Sequence, residues 1–235
     1  MSHLLNLHII SLCLFLLSLT SLGQELQTPE GDKKYREDQF YIGVNYNLIS
    51  AAPDGVSLNG VSGGLHFGFL RDMPFNERRN LSLAIGAGLS VDQFGQNLFV
   101  DKDSNGVGVF TILTDDVDFR SNLFSMATIE APLEFRWRTS TAKSYKFWRI
   151  YAGFRVGYTF WNKANLRLPS SSISQSSISE FDKVRLGATL SFGYSTFNFF
   201  AYYSLNPLFE NTALTADGQE VGFKTIKVGL MFYIL

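Results

Sequence analysis

Apolar and polar residues alternate with a period of two along most of the chain after Asp38, and almost no segment shows the 3.6-residue period of an amphipathic helix. The clearest case is residues 80–96, where the odd positions from 81 to 91 are apolar and the even positions are small or polar. In residues 147–162 the even positions from 148 to 160 carry apolar side chains, whereas the odd ones include Arg149 and Arg155. Such segments predict strands with one apolar face, and they reach the roughly 9 to 11 residues that a tilted strand needs to cross a bilayer.

The pattern predicts eight such strands. They lie at residues 39–50, 59–71, 80–96, 121–138, 147–162, 182–194, 197–207 and 223–234. The connections at 51–58, 97–120, 163–181 and 208–222 are longer than those at 72–79, 139–146 and 195–196. We therefore predict an all-β fold, an eight-stranded antiparallel up-and-down transmembrane β-barrel in the outer membrane, with both termini in the periplasm.

A soluble sandwich or lipocalin-like barrel is the alternative, with the apolar face turned inward. The composition argues against it, because only 17% of the residues are charged and 15% are aromatic, against about 25% charged residues in soluble domains. The non-apolar face is also rich in Gly, Ser and Ala, which suit a narrow interior. The net charge of −1 gives no basic surface for nucleic acid.

Residues 4–22 form an apolar stretch that ends in Ser21-Leu22-Gly23, as in a secretory signal peptide cleaved before Gln24. Because no Lys or Arg precedes this stretch, a retained N-terminal anchor is the alternative. We expect a signal peptide at 1–23, a polar periplasmic lead-in at 24–38 and the barrel domain at 39–235. The single cysteine, Cys13, lies in the leader, so the mature chain would contain no thiol.

Charged side chains of both signs occupy positions that the alternation places inside the barrel. They are Glu130, Glu134, Arg136, Arg155, Lys183, Arg185 and Lys227. A turn centred near residues 142–143 would place Glu130 opposite Arg155, and the same register would place Glu134 opposite Tyr151. Because buried charges need partners, we interpret this set as a salt-bridged plug that fills the lumen. A proton path or a polar docking site is the alternative.

The sequence offers no convincing catalytic set. His66 and Asp92 both point inward, but a hairpin turning at 72–79 would place His66 near Gly86, with Asp92 about 20 Å further along. A Ser-His-Asp site, as in an acyltransferase or protease barrel, is therefore not expected. We expect a protein that is not an enzyme, with no cofactor, no metal, and neither nucleic acid nor a small-molecule substrate as partner.

Several residues mark the ends of the predicted strands. Aromatic girdles are expected at Trp137, Trp148, Phe160 and Trp161. The last strand carries Lys227, Gly229, Phe232 and Ile234, which resemble the assembly signal of bacterial outer-membrane proteins. Outer-membrane lipid and the barrel-assembly machinery are therefore expected partners.

Two connections stand out by composition. The Ser-rich segment 170–179 is expected to be a mobile loop. The short connection around 71–80 is expected to be either a solvated hairpin end or a surface that contacts periplasmic subunits. Its charged residues are Arg71, Asp72, Glu77, Arg78 and Arg79.

Five stretches carry a family resemblance. They are FYIGV at 40–44, HFGFLRDMP at 66–74, NERRN at 76–80, IEAPLEFRWR at 129–138 and FWRIYAG at 147–153. Together they resemble the PorT family of Bacteroidota outer-membrane barrels. The resemblance implies a component or accessory of the type IX secretion system, with other secretion-system subunits as partners. It further implies a need for the protein in the export of surface and secreted proteins and in gliding motility. The alternative is a stand-alone structural or adhesive outer-membrane barrel.

Overall fold

The computed structural model describes residues 38–114, 116–139 and 147–234. The strands in these ranges are β1 (Gln39–Ser50), β2 (Gly63–Pro74), β3 (Leu81–Gly95), β4 (Leu98–Lys102), β5 (Gly108–Ile112), β6 (Ser121–Arg138), β7 (Trp148–Arg167), β8 (Ser172–Ser176), β9 (Val184–Tyr194), β10 (Phe197–Ser204) and β11 (Lys224–Ile234). The described residues contain no helix that is long and apolar enough to cross a membrane. The predicted signal peptide at 1–23 and residues 24–37 of the predicted lead-in lie outside the described residues.

Eight of the strands close into a barrel. Their order is β6-β3-β2-β1-β11-β10-β9-β7, and β7 pairs back with β6. Each pairing is antiparallel. Apart from the pair of β1 with β11, each joins barrel strands that are consecutive in the chain once β4, β5 and β8 are left out. The predicted eight-stranded up-and-down barrel is therefore confirmed.

The boundaries of the second predicted strand are wrong. It was expected at 59–71, but β2 runs from Gly63 to Pro74, and its last residues pair with the start of β3. Asp72 is opposite Ala84 in this ladder. The strand continues through this charged residue because its side chain forms ion pairs inside the barrel. The short connection between β2 and β3 is consequently 75–80 rather than 72–79.

Two of the longer connections contain strands of their own. β4 and β5 pair as a hairpin within 97–120. The Ser-rich segment expected to be mobile contains β8, which pairs with the end of β7 from Lys163 to Arg167. Lys102 also donates hydrogen bonds from Nζ to the carbonyl oxygens of Ser176 and Ser177. The composition was misleading because these bonds use the backbone, which is the same for serine as for any other residue.

The outward face of the barrel is apolar. Phe154, Val156 and Tyr158 of β7 are each more than half exposed, whereas Arg155 and Thr159 between and beside them are buried. A soluble protein would reverse this arrangement, because burying apolar surface is the main driving force of folding in water. The exposed apolar belt therefore faces lipid, which excludes the soluble sandwich.

A β-bulge at Phe160 changes the faces of β7 near its end. Ala127 pairs with Trp161 and Thr128 pairs with Thr159, so Phe160 has no partner of its own on β6. The extra residue reverses the alternation. Phe160 and Trp161 are both exposed, and beyond them it is the even positions that face the interior, ending with the buried Leu166.

An apolar cluster lies inside the barrel end that carries the longer connections. It combines strand ends with loop residues. Phe209 is at its centre, with ring centroids 5.1 Å from Phe110 and 5.5 Å from Phe124. We call it the loop-end core. Its members are Phe94, Leu98, Val100, Phe110, Phe124, Met126, Ala164, Ile178, Phe181, Leu208, Phe209, Ala213, Val221 and Phe223.

The lipid-facing assignment predicts the effect of a charge on β9. Leu190 is 47% exposed on the outward face. Replacing it with Lys should destabilise the barrel by about 2 to 4 kcal/mol, because a cation near the middle of the bilayer loses its hydration. Heat-modifiable gel mobility and urea unfolding in lipid vesicles measure this, with Leu190→Met as the control. Equal stability of the two variants would contradict the assignment.

Candidate functional site: the charged lumen

The end of the lumen nearest the short connections contains a four-member charge cluster. Arg136 contacts Asp72 through Nη1 at 3.3 Å and Glu134 through Nη2 at 3.0 Å. Arg138 Nη2 contacts the other carboxylate oxygen of Asp72 at 2.9 Å. Ser82 completes the shell of Asp72 by donating its hydroxyl at 2.6 Å. The cluster therefore links β2, β3 and β6 through side chains.

Aromatic rings surround the Arg136 guanidinium. Its Cζ lies 4.5 Å from the ring centroid of Tyr151 on β7 and 5.6 Å from that of Tyr233 on β11. Cation–π contacts of this kind strengthen when water is excluded, and both tyrosines are buried. Arg136 thus has contacts with residues on four strands of the barrel.

Asp72 was expected in the connection at 71–80, either in a solvated hairpin end or on a surface that contacts periplasmic subunits, and both expectations are wrong for this residue. The residue is fully buried in the lumen, where it forms ion pairs with two arginines. Arg71 is exposed on the outward face of β2, while Glu77 and Arg78 are exposed in the 75–80 turn. Arg79 belongs to this turn, and its carbonyl accepts a hydrogen bond from Arg138 Nε at 3.0 Å. The turn is therefore fastened to the lumen cluster.

A second ion pair lies further along the lumen. Arg155 Nη1 is 2.8 Å from Glu130 Oε2, and both side chains are almost completely buried. The predicted register is nevertheless wrong by two residues, because Glu130 is opposite Gly157 and Glu134 is opposite Gly153. A shift of two residues keeps each side chain on the same face. Arg155 therefore still reaches Glu130, along the diagonal between neighbouring strands.

A third ion pair crosses the lumen from β11 to β3. Lys227 Nζ lies 2.5 Å from Asp92 Oδ2, and Asn47 Nδ2 donates to Asp92 Oδ1 at 3.2 Å. The predicted hairpin register is wrong here too, because His66 is opposite Ser90 and Asp92 is opposite Gly64. The turn begins later than expected, which slides β3 along β2. Asp92 is thus near the histidine, but its carboxylate is bonded to Lys227 and Asn47.

Glycines give the large lumen side chains their space. A Cβ at Gly43 would lie 1.7 Å from His66 Nε2, and one at Gly187 would lie 2.0 Å from a ring carbon of Tyr202. The His66 ring packs edge-on against Phe200 at 4.8 Å. This explains why small residues alternate with apolar ones: an eight-stranded barrel has room for side chains only if neighbouring positions are small.

Two predicted lumen cations lie at the rim of the loop end. Arg185 is buried and contacts the half-buried Asp182 at 3.1 Å. Lys183 is exposed, so its assignment to the lumen is wrong. The reason is that β9 begins only at Val184. Lys183 is therefore outside the alternation, and its carbonyl accepts a hydrogen bond from the Thr159 amide.

Two lumen arginines were not among the predicted set. Arg138 and Arg149 are cross-strand neighbours on β6 and β7, and both are buried. The Arg149 guanidinium carbon lies 4.5 Å from the ring centroid of Phe147. Their positions have the same parity as Arg136 and Arg155, so the alternation already contained the signal.

The remaining predicted residues lie on β6, β7 and β11. Trp137, Trp148, Phe160 and Trp161 all have exposed rings on the outward face. Trp137 and Trp148 flank the short connection, and the other two are at the bulge. In β11, Lys227 and Gly229 point inward, while Phe232 and Ile234 are on the outward, apolar face.

The loop-end core is fastened by a carboxylate from the connection after β8. Glu180 accepts hydrogen bonds from the Gly108 amide at 2.9 Å and from the Ser179 hydroxyl at 2.8 Å. Burial of the Glu180 carboxyl opposes its ionisation, but these hydrogen bonds outweigh it and hold its pKa below the ordinary value. The β4–β5 hairpin is thereby held over the barrel.

Chemically, the buried carboxylates of the lumen are all paired with cations, whereas the buried Arg149 contacts an aromatic ring. Each of the carboxylates of Asp72, Asp92, Glu130 and Glu134 has at least one cation within 3.3 Å. Pairing of this kind favours a fixed scaffold, because each buried charge would be costly without its partner. Within the described residues, no group of three or more His, Cys, Asp or Glu side chains is arranged to hold a metal ion.

A family comparison agrees with this architecture. The model of a family described as "Outer membrane protein beta-barrel domain" matches residues 23–210. Two crystal structures of Ail, the attachment invasion locus protein of Yersinia pestis, are similar at 17% and 16% identity, the second being a complex with the heparin analogue sucrose octasulfate. Each match covers 86% of this chain and 100% of the other, with TM-scores of 0.39 and 0.34. No curated protein matches the chain.

The Glu130–Arg155 pair predicts a double-mutant cycle. Glu130→Gln and Arg155→Met should each destabilise the barrel by about 3 to 5 kcal/mol, since each leaves a buried charge without its partner. The double variant should lose less than the sum of the two. Urea unfolding in lipid vesicles, followed by tryptophan fluorescence, measures all four free energies of unfolding. Strict additivity would show that the two charges do not stabilise each other.

Proposed function

Because the chain belongs to the family of outer membrane protein beta-barrel domains, we propose that it is a non-enzymatic, stand-alone structural barrel of the outer membrane. Its longer connections face the cell exterior in this proposal, and both termini face the periplasm. The observation that carries the proposal is the filled lumen. Three groups of ion pairs occupy it, and the loop-end core occupies one end.

Because the lumen is filled, we infer that the protein acts through its outer surfaces. The paired side chains are buried and are shared among strands on different sides of the barrel. Movement of a solute through the lumen would require these pairs to separate and the loop-end core to open. The loop-end core also gives the exterior surface a packed support, because loop residues such as Leu208 and Phe209 are fully buried in it.

A role as an accessory of the type IX secretion system is the second candidate. Its support is the PorT resemblance together with the hydrogen-bonded 75–80 turn. Asn76 Nδ2 donates to Asn80 Oδ1 at 2.5 Å, and the Leu81 amide donates to Asn76 Oδ1 at 3.2 Å. These bonds hold the exposed Glu77 and Arg78 at the tip of the turn. The pair offers one charge of each sign to a periplasmic subunit.

Several of the charged residues that carry the PorT resemblance have a role within the barrel itself. Asp72, Glu134, Arg136 and Arg138 form the lumen cluster, and Glu130 pairs with Arg155. A barrel with another task could need the same residues to fold. We therefore place the stand-alone barrel first and the secretion accessory second.

Deletion of the gene separates the two candidates. A stand-alone barrel should leave the set of secreted and surface proteins unchanged and alter only envelope integrity or adhesion, which detergent sensitivity and a proteomic census of the medium measure. Loss of many secreted proteins at once would favour the secretion accessory. In that case Glu77→Lys with Arg78→Glu should abolish export while the folded barrel persists, and Arg71→Gln on the strand is the control.

The proposed orientation predicts which connections can be reached from outside. A protease-cleavable tag after Ser104, at the exposed tip of the β4–β5 hairpin, should be cleaved on intact cells. The same tag after Glu77 should be cleaved only after the outer membrane is permeabilised. Cleavage of the second tag on intact cells would reverse the orientation.

A further inference from the structure

The paired strands β6, β7 and β8 extend beyond the membrane on one side of the barrel. β7 contains 20 residues. At about 3.3 Å per residue and a tilt near 40°, it rises about 48 Å, well over the roughly 25 Å of the apolar band. The part of β7 after Trp161 therefore projects above the aromatic girdle, paired with β6 on one side and with β8 on the other.

The outward face of this extension combines cations, hydroxyls and an amide. The bulge at Phe160 is the cause, because without the extra residue Lys163 and Arg167 would point inward. Each of these two cations lies between serines of the neighbouring strands. The pairs are Ser125 and Ser176 beside Lys163, and Ser121 and Ser172 beside Arg167. We call this surface the β6–β8 outer face.

These cations differ from the ion-paired cations of the lumen. Lys163 and Arg167 form no ion pair within the described residues, and Arg167 is exposed. None of the outward positions of β6, β7 and β8 is Asp or Glu. Nearby carboxylates are turned away: Asp101 accepts from Gln175, on the opposite face of β8, and Glu180 accepts from Gly108. The exposed Asp116 and Asp118 belong to the connection that precedes β6.

The height of the face matches that of lipid headgroups. Trp161 marks the boundary of the hydrocarbon, since tryptophan rings are enriched at this level. At about 3.3 Å per residue and a tilt near 40°, Lys163 lies about 5 Å above this boundary and Arg167 about 15 Å above it. Between them, Asn165 accepts a hydrogen bond from the Ser172 hydroxyl at 3.3 Å and keeps its amide group for other partners.

We propose that the β6–β8 outer face binds a phosphorylated glycolipid of the outer leaflet. Lys163 and Arg167 would contact the phosphate groups through charge-assisted hydrogen bonds, which are the stronger kind. Asn165 and the serines would contact the sugar hydroxyls. A cationic face without carboxylates, standing directly on the apolar belt, suits a ligand whose acyl chains lie in the membrane and whose anionic sugars stand above it. The physiological encounter rests on the orientation proposed above.

The test uses the protein extracted from outer membranes and placed in phosphatidylcholine nanodiscs that contain bisphosphorylated lipid A. Native mass spectrometry gives the apparent dissociation constant for this glycolipid. Removing one cation, in Lys163→Gln or Arg167→Gln, should weaken binding about fivefold, and removing both should weaken it about thirtyfold. These factors correspond to the contribution of one and of two basic residues near an anionic surface. Dephosphorylated lipid A should bind the wild-type barrel as weakly as bisphosphorylated lipid A binds the double variant.

Lys224→Gln is the matched control. Lys224 is an outward-facing cation at the same end of the barrel, but it lies on β11, three strands away from β7. The control should bind like wild type, and heat-modifiable mobility checks that each variant is folded. Wild-type affinity in the folded double variant, or an equal loss in Lys224→Gln, would overturn the proposal. The nanodisc offers the glycolipid to both rims, so the result does not depend on orientation, which the tags measure separately.

Discussion

The narrow lumen is the constraint on which the rest of this barrel depends. Inward side chains from eight strands share one interior, and a charge placed there must have a partner. The ion pairs meet this requirement over different spans. Glu130 and Arg155 join neighbouring strands, Asp72 and Arg136 reach across β3, and Asp92 and Lys227 reach from β3 to β11. Ion pairs between side chains therefore help to specify the arrangement of the strands, in addition to the hydrogen bonds of the backbone ladders.

The sequence predicts the faces of the strands well, because a period of two is visible wherever a strand alternates. It does not predict register, because register depends on the length of each turn. This is why Glu130 is opposite Gly157 and His66 is opposite Ser90. The sequence does not predict the ends of strands either. Lys183 is two residues before Arg185, a spacing that suits a second lumen residue, but β9 begins only after Lys183.

Interactions without a sequence period were missed altogether. At the bulge, the aromatic residue Phe160 is followed by a second one, Trp161. The change of face therefore leaves no break in the hydrophobic pattern of the sequence. The loop-end core draws Leu208, Phe209 and Val221 from a polar connection, and apolar residues in loops have no regular spacing to reveal them. The site was therefore predictable where it lies on strands, and unpredictable where tertiary packing of connections creates it.

The pairing of β1 with β11 has a consequence for assembly. It joins Phe40 to Ile234, so the ring is completed by the first and last strands of the domain. Contacts between residues so distant in the chain form slowly, because a large loss of chain entropy precedes them. Until then, each of these two strands presents an unpaired edge able to join another chain. A nascent barrel of this kind remains an open sheet, exposed to aggregation, until its C-terminal strand has been delivered.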